Sequence, residues 1–76
     1  MAARKAKPWA VILLGPGVPE QRTEHTSSAK AYQLVNDTRT AVRAGTSPVT
    51  RIRVEQWEPT YRRWARYEFI DPKEQQ

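Results

Sequence analysis

Arg51, Arg53, Arg62 and Arg66 are interleaved with Trp57 and Trp64 in the stretch RIRVEQWEPTYRRWARYEF, residues 51–69. A guanidinium is a planar, permanently charged fork that matches phosphate oxygens and guanine edges, and an indole stacks on bases or sugars. The chemistry these residues can do is recognition of an anionic, partly planar ligand. A second basic group, Arg4, Lys5 and Lys7, lies in the first seven residues. As an arm it could add phosphate contacts or enter a minor groove.

Bond-breaking chemistry has little to draw on. His25 is the only histidine and there is no cysteine, so neither a transition-metal site nor a bound cofactor is expected. Ser27 and Ser28 sit close to His25 in sequence, but no third group completes a triad and helix capping accounts for both. Glu20, Glu24, Asp37, Glu55, Glu58 and Glu68 form no spaced carboxylate pair. The Gly15-Pro16-Gly17 turn lacks the Lys-Ser/Thr of a phosphate loop. No enzyme is expected.

The bulk properties agree with a binding role. With 76 residues the chain makes one small domain with one modest core. Thirteen Lys and Arg against eight acidic residues give a net charge of +5, which suits nucleic acid or an acidic protein. The absence of cysteine fits a reducing, cytoplasmic compartment. The apolar run WAVILL is far too short to span a membrane, and no small-residue cleavage site comes after it, so the start reads as a basic arm leading into a strand.

Residues 1–7 are therefore expected to form a flexible basic arm, 8–71 a single α+β domain and 72–76 a flexible tail. WAVILLG reads as a strand apolar on both faces, closed by Gly15-Pro16-Gly17. Such a strand is central, lies under a loop or pairs with another chain; at an edge it would be a route to a homodimer through the first strand. The polar stretch up to Thr26 reads as a loop. One of Thr26, Ser27 and Ser28 can cap a helix, and Gly45 can end it in the left-handed conformation. Between them Ala31, Leu34, Val35, Thr38, Ala41 and Val42 make one apolar stripe. Residues 49–57 and 61–70 then read as two strands around Glu58-Pro59-Thr60. The expected fold is strand–helix–strand–strand: an antiparallel three-stranded sheet with one helix packed on one face and the first strand beside the third.

Alternation sorts the hairpin into two faces. Turning the tryptophans inward would bury Arg51, Arg53, Arg62 and Arg66. An unpaired buried charge costs several kcal/mol, against about 2–3 kcal/mol gained per large apolar side chain. The Trp faces are therefore expected to point outward, with Ile52, Val54, Ala65, Tyr67 and Phe69 toward the helix. A tight turn with Glu58 opposite Tyr61 gives the same sorting. It pairs Trp57 with Arg62, Glu55 with Trp64, Arg53 with Arg66 and Arg51 with Glu68. Arg53 opposite Arg66 would be a local cost that an external anion relieves. A bulge would shift the pairing by one residue and undo it. Against this stands a plainer use of the same side chains, in which they splay into water and stack on the indoles to shield the sheet.

The string RRWARYEFID resembles, through Trp64, Ala65, Arg66 and Tyr67, the last sheet strand of the arm-binding domains of phage-type tyrosine recombinases. It is also similar to the Arg/Trp sheet of plant ethylene-response DNA-binding domains. Both lay a three-stranded sheet in the major groove with a helix behind. Those domains place the helix after the sheet, whereas here it comes after the first strand, so the resemblance implies like surface chemistry rather than membership. The expected function is a small non-enzymatic nucleic-acid-binding protein, DNA ahead of RNA, using Arg51, Arg53, Trp57, Arg62, Trp64, Arg66, Arg4, Lys5 and Lys7. Neutralising about four to six phosphates would make affinity fall steeply with salt. The alternative is a protein-interaction module, such as a regulatory or inhibitory protein of phage or mobile-element type, docking an acidic partner through the same face. A third reading is a subunit that assembles with itself.

Overall fold

A computed structural model of the chain describes residues 6–73. Along the chain run β1 (Trp9–Leu14), β2 (Gln21–His25), α1 (Ser28–Arg43), β3 (Arg51–Glu58) and β4 (Arg63–Ile70). The strands form one antiparallel sheet in the order β2-β1-β3-β4, with α1 on one face. The α+β class and the single helix are as expected. The sheet has four strands rather than three, because residues 21–25, expected to be loop, form β2.

The apolar character of β1 on both faces now has its cause. β1 is central, paired with β2 on one side and β3 on the other. Its neighbour is thus the strand that comes after the helix, not the last one. Both of its backbone edges are occupied, so the free edge that a homodimer through the first strand requires belongs instead to β2 and β4. β2 has no apolar residue and is exposed over most of its length. It is a strand because it zips onto β1, with Ile12 opposite Arg22 and Val11 opposite Thr23. A short charged strand is a common way to finish a sheet edge without inviting aggregation.

The helix ends obey the expected chemistry. Ser27 caps α1, its Oγ accepting from the Lys30 N–H at 3.2 Å. At the other end Gly45 takes φ 77. Gly45 N–H donates to the Val42 carbonyl and Thr46 N–H to the Ala41 carbonyl, a Schellman closure. Ala31, Val35, Thr38 and Val42 are buried, and Ala31, Val35 and Val42 pack with Val11, Val49, Ile52, Val54 and Ile70. Each fully buried Val or Ile contributes about 1.5–3 kcal/mol.

A third local constraint joins the β1–β2 turn to the segment after the helix. A β-carbon at Gly15 would lie 2.5 Å from the Pro48 carbonyl oxygen, so only glycine fits. Beside it Thr50 N–H donates to the Leu14 carbonyl at 2.9 Å. The packed unit reaches past Asp71, since Pro72 is fully buried. Arg4, Lys5 and the residues after Lys73 lie outside the described residues.

The β3–β4 hairpin departs from the expected register. Its loop is four residues long, 59–62, with Glu58 opposite Arg63, Trp57 opposite Trp64, Gln56 opposite Ala65 and Glu55 opposite Arg66. Beyond this the pairing slips. Val54 faces Glu68, Arg53 faces Phe69 and Ile52 faces Ile70, which leaves Tyr67 as the extra residue of a β-bulge. Tyr67 and Glu68 consequently both lie on the helix side. The Tyr67 ring meets Trp9 edge-on at 5.0 Å, and the Tyr32 hydroxyl donates to Glu68 Oε1. Burial raises the Tyr32 hydroxyl pKa well above its ordinary value, with the Glu68 carboxylate acting in the same direction.

Candidate nucleic-acid interface

The face of the sheet away from α1 carries the candidate site. Its side chains are Arg22 and Glu24 from β2, Ala10 and Ile12 from β1, Arg51, Arg53, Glu55 and Trp57 from β3, and Trp64, Arg66 and Phe69 from β4. The expected outward direction of Arg51, Arg53, Trp57, Trp64 and Arg66 is observed. The two extra loop residues shift the register by an even number, which changes partners without exchanging faces. The bulge then adds one residue and exchanges the faces of those beyond it. Phe69, expected toward the helix, lies on the open face and is 40% exposed, while Ile70 enters the core.

Two expected features are corrected. Arg66 opposes Glu55 and Arg53 opposes Phe69, so the like-charge pair Arg53–Arg66 does not exist and its cost cannot argue for an external anion. Arg62 is not on the sheet face: it sits in the hairpin loop with φ 50, in the left-handed region.

The open face divides into two halves of different character. On the β2–β1–β3 side, Ala10 and Ile12 are 0% exposed although they point away from the helix-packed core. Ala10 lies between Glu24 and Glu55, and Ile12 between Arg22 and Arg53, so charged side chains roof an apolar floor. The roof is cross-linked. Arg22 Nη1 donates to Glu55 Oε1 at 2.8 Å, and its Nε lies 3.9 Å from Glu24 Oε2. Arg53 Nε lies 3.2 Å from Glu55 Oε2, and its Nη2 lies 3.8 Å from Glu20 Oε1. The Arg53 Nε proton is buried and not aimed at an acceptor, so that contact is an ion pair without an aligned hydrogen bond. The Arg22 guanidinium carbon sits 4.6 Å over the Trp64 ring, and Trp64 meets Trp57 edge-on at 5.5 Å. Here the plainer use of arginine and tryptophan, shielding the sheet, is what the geometry describes.

Along β4 the pattern changes. Arg51 and Arg66 have their guanidinium carbons 4.7 and 4.8 Å from the centre of the Phe69 ring. Among the described residues neither forms an ion pair with a carboxylate. Asp71 lines the shallow cleft beside Arg51 and Phe69 without reaching ion-pair distance. Two cations with no carboxylate partner among the described residues thus share one exposed aromatic ring.

The loop end of the hairpin adds further charge. Arg63 lies 3.8 Å from Glu58 and 5.2 Å over the Tyr61 ring, which is 69% exposed. Pro8 accepts a hydrogen bond from the Trp57 N–H at 2.8 Å, which fixes the described end of the basic arm, with exposed Lys7, beside this part of the hairpin.

The sequence reasoning missed Arg22, Glu24 and Phe69. The alternation of Arg22 and Glu24 is readable only once residues 21–25 are taken as a strand. Nothing in the local sequence marks the bulge that turns Phe69 outward.

Other surfaces offer less. A cleft of about 260 Å³ between the β1–β2 turn and the C-terminal half of α1 is lined by Leu13, Pro19, Asp37, Thr38, Ala41 and Val49, among others, with Asp37 its one ionisable side chain. His25 Nε2 lies 2.9 Å from Thr23 Oγ1 at the sheet edge. Among the described residues no cluster of three His, Cys, Asp or Glu side chains could hold a metal ion, and no helix is long and apolar enough to cross a membrane. Comparison of the chain with protein-family models, curated proteins and solved structures finds no match.

Proposed function

We propose that this chain is a small non-enzymatic nucleic-acid-binding protein, with DNA as its expected ligand, and that it binds through the β3–β4 side of the open sheet face. One observation carries this reading: Arg51 and Arg66 flank the exposed Phe69 ring without a carboxylate partner among the described residues. A cation stacked on a ring keeps its N–H donors at the rim, where phosphate oxygens can accept from them. Trp57 and Trp64 extend the strip toward the hairpin loop that carries Arg62, and Lys7 stands at its far end with Arg4 and Lys5 preceding it in the chain. Arg53, bound to Glu55 and Glu20, moves from ligand contact to support of the face.

The reading is tested by fluorescence anisotropy of labelled random-sequence DNA at low salt, with RNA of the same length as competitor. Binding should weaken as salt rises, with a slope matching about two to four phosphate contacts. It should be lost in the Arg51→Ala, Arg66→Ala double variant with the fold intact by circular dichroism. No binding of DNA or RNA at about 50 mM salt would refute it.

A further inference from the structure

We infer that the ligand is a single strand of nucleic acid lying lengthwise along β3 and β4, and not a duplex with the sheet in its groove. This rests on the nucleic-acid reading above and adds the form of the ligand.

The first support is the width of the unneutralised charge. Four strands spaced about 4.8 Å apart measure about 14 Å across, close to the ~12 Å width of a major groove. A sheet seated there would present its two edges to the two phosphate walls. The β4 side offers Arg51 and Arg66, which pair with no carboxylate among the described residues. The β2 side offers Glu20 and Glu24, and its one arginine, Arg22, is tied to Glu55. One wall would be attracted and the other would meet carboxylates. A single backbone needs only the first.

The second support is aromatic placement. Phe69 lies between Arg51 and Arg66, and Trp64 follows Arg66 on the open side of β4 with Trp57 opposite it. Alternation of cations with rings suits a strand whose phosphates and unstacked bases are both accessible; a duplex hides its base faces. The third is length. Eight residues of β3 at about 3.3 Å each give about 26 Å, room for about four extended nucleotides, the low end for sheet-face binders.

The test compares a fluorescein-labelled oligo(dT) of about 20 nucleotides, the same length of oligo(rU), and a blunt duplex, all with the full chain. The inference predicts that at least one single strand binds about tenfold or more tighter than the duplex; which one does tells DNA from RNA. Phe69→Leu keeps an apolar side chain on the open face but removes the ring, and it should weaken single-strand binding by about 5–100-fold while leaving the melting temperature close to the parent's. Duplex binding equal to or tighter than both single strands would overturn the inference and leave the nucleic-acid reading standing. Binding of none of the three would overturn both. Single-strand affinity unchanged in Phe69→Leu would overturn the placement along β4.

Discussion

Glu55 holds the centre of the open face, and its replacement by glutamine separates the two uses of arginine on that face. The carboxylate bonds Arg22 at 2.8 Å and pairs with Arg53 at 3.2 Å, and its side chain is only 15% exposed. Exposed ion pairs contribute about 0.2–1 kcal/mol each. These two are half-enclosed, and glutamine keeps one acceptor, so a total loss of about 1–2 kcal/mol is expected for Glu55→Gln. In a domain of this size that lowers the melting temperature by about 4–16 °C. Binding should move the other way. Arg22 and Arg53 lose their counter-charge, each new phosphate contact steepens the salt slope by about 0.7–0.9, and low-salt affinity should rise by about tenfold. Thermal melts by circular dichroism and anisotropy titrations at several salt concentrations read both effects on one preparation. A variant as stable as the parent, with an unchanged salt slope, would refute the idea that Glu55 pins the roof. A variant whose affinity fell together with its stability would refute the idea that Glu55 withholds those arginines from the ligand.

Further substitutions test the division of the face and the fold beneath it. Arg53→Ala should cost about 1–2 kcal/mol of stability, because it unroofs Ile12, whereas Arg66→Ala should leave the melting temperature nearly unchanged and weaken nucleic-acid binding; equal stability losses would contradict the division. Gly15→Ala should destabilise by about 1–3 kcal/mol in chemical denaturation, since its methyl group meets the Pro48 carbonyl at 2.5 Å; a neutral result would mean that this turn can shift freely. Tyr32→Phe removes the hydrogen bond to Glu68 and should cost about 1 kcal/mol at neutral pH. Folding favours the neutral Tyr32 hydroxyl, so the unfolded chain releases this proton first. The margin of the parent over Tyr32→Phe is therefore complete below about pH 10 and shrinks as pH rises further; a margin that grew above pH 10 would contradict the assignment.

Legibility in the sequence depends on where burial leaves a periodic mark. The helix was legible, down to Ser27 among its three candidate caps and Gly45 as its terminator, because its apolar stripe and its end residues point to the same element. The two-sided apolar character of β1 was legible too, and a central strand was among its explanations. β2 was not, because an exposed edge strand leaves no alternation: Gln21–His25 is held by backbone pairing to β1 rather than by its own side chains. The hairpin faces survived an error in loop length because parity is blind to a shift of two. Partner identities did not survive it, and the like-charge pair that would call for an anion went with them. The bulge at Tyr67 depends on three-dimensional satisfaction, Ile70 entering the core and Glu68 reaching Tyr32, which a local reading does not contain.

For the candidate site, the outward direction of Arg51, Arg66, Trp57 and Trp64 is legible in the alternation of the hairpin, while the neutralisation of Arg53 requires β2 to exist. Glu20 and Glu24 reach the open face only because residues 21–25 fold back beside β1. The chain's positive charge is thus distributed unevenly over one sheet face: tied down above Ala10 and Ile12, and available beside Phe69.

Binding along β3 and β4 is read residue by residue in an NMR titration of isotope-labelled protein with oligo(dT), oligo(rU) and duplex DNA, monitoring backbone amides and arginine side-chain Nε–H signals. Ligand should shift the signals of Arg51, Trp57, Trp64, Arg66 and Phe69, with the Arg51 and Arg66 side chains among the largest changes and the outward residues of α1 unmoved. Shifts centred on α1 or on the cleft beside Asp37, or no shifts with any nucleic acid at low salt, would contradict it.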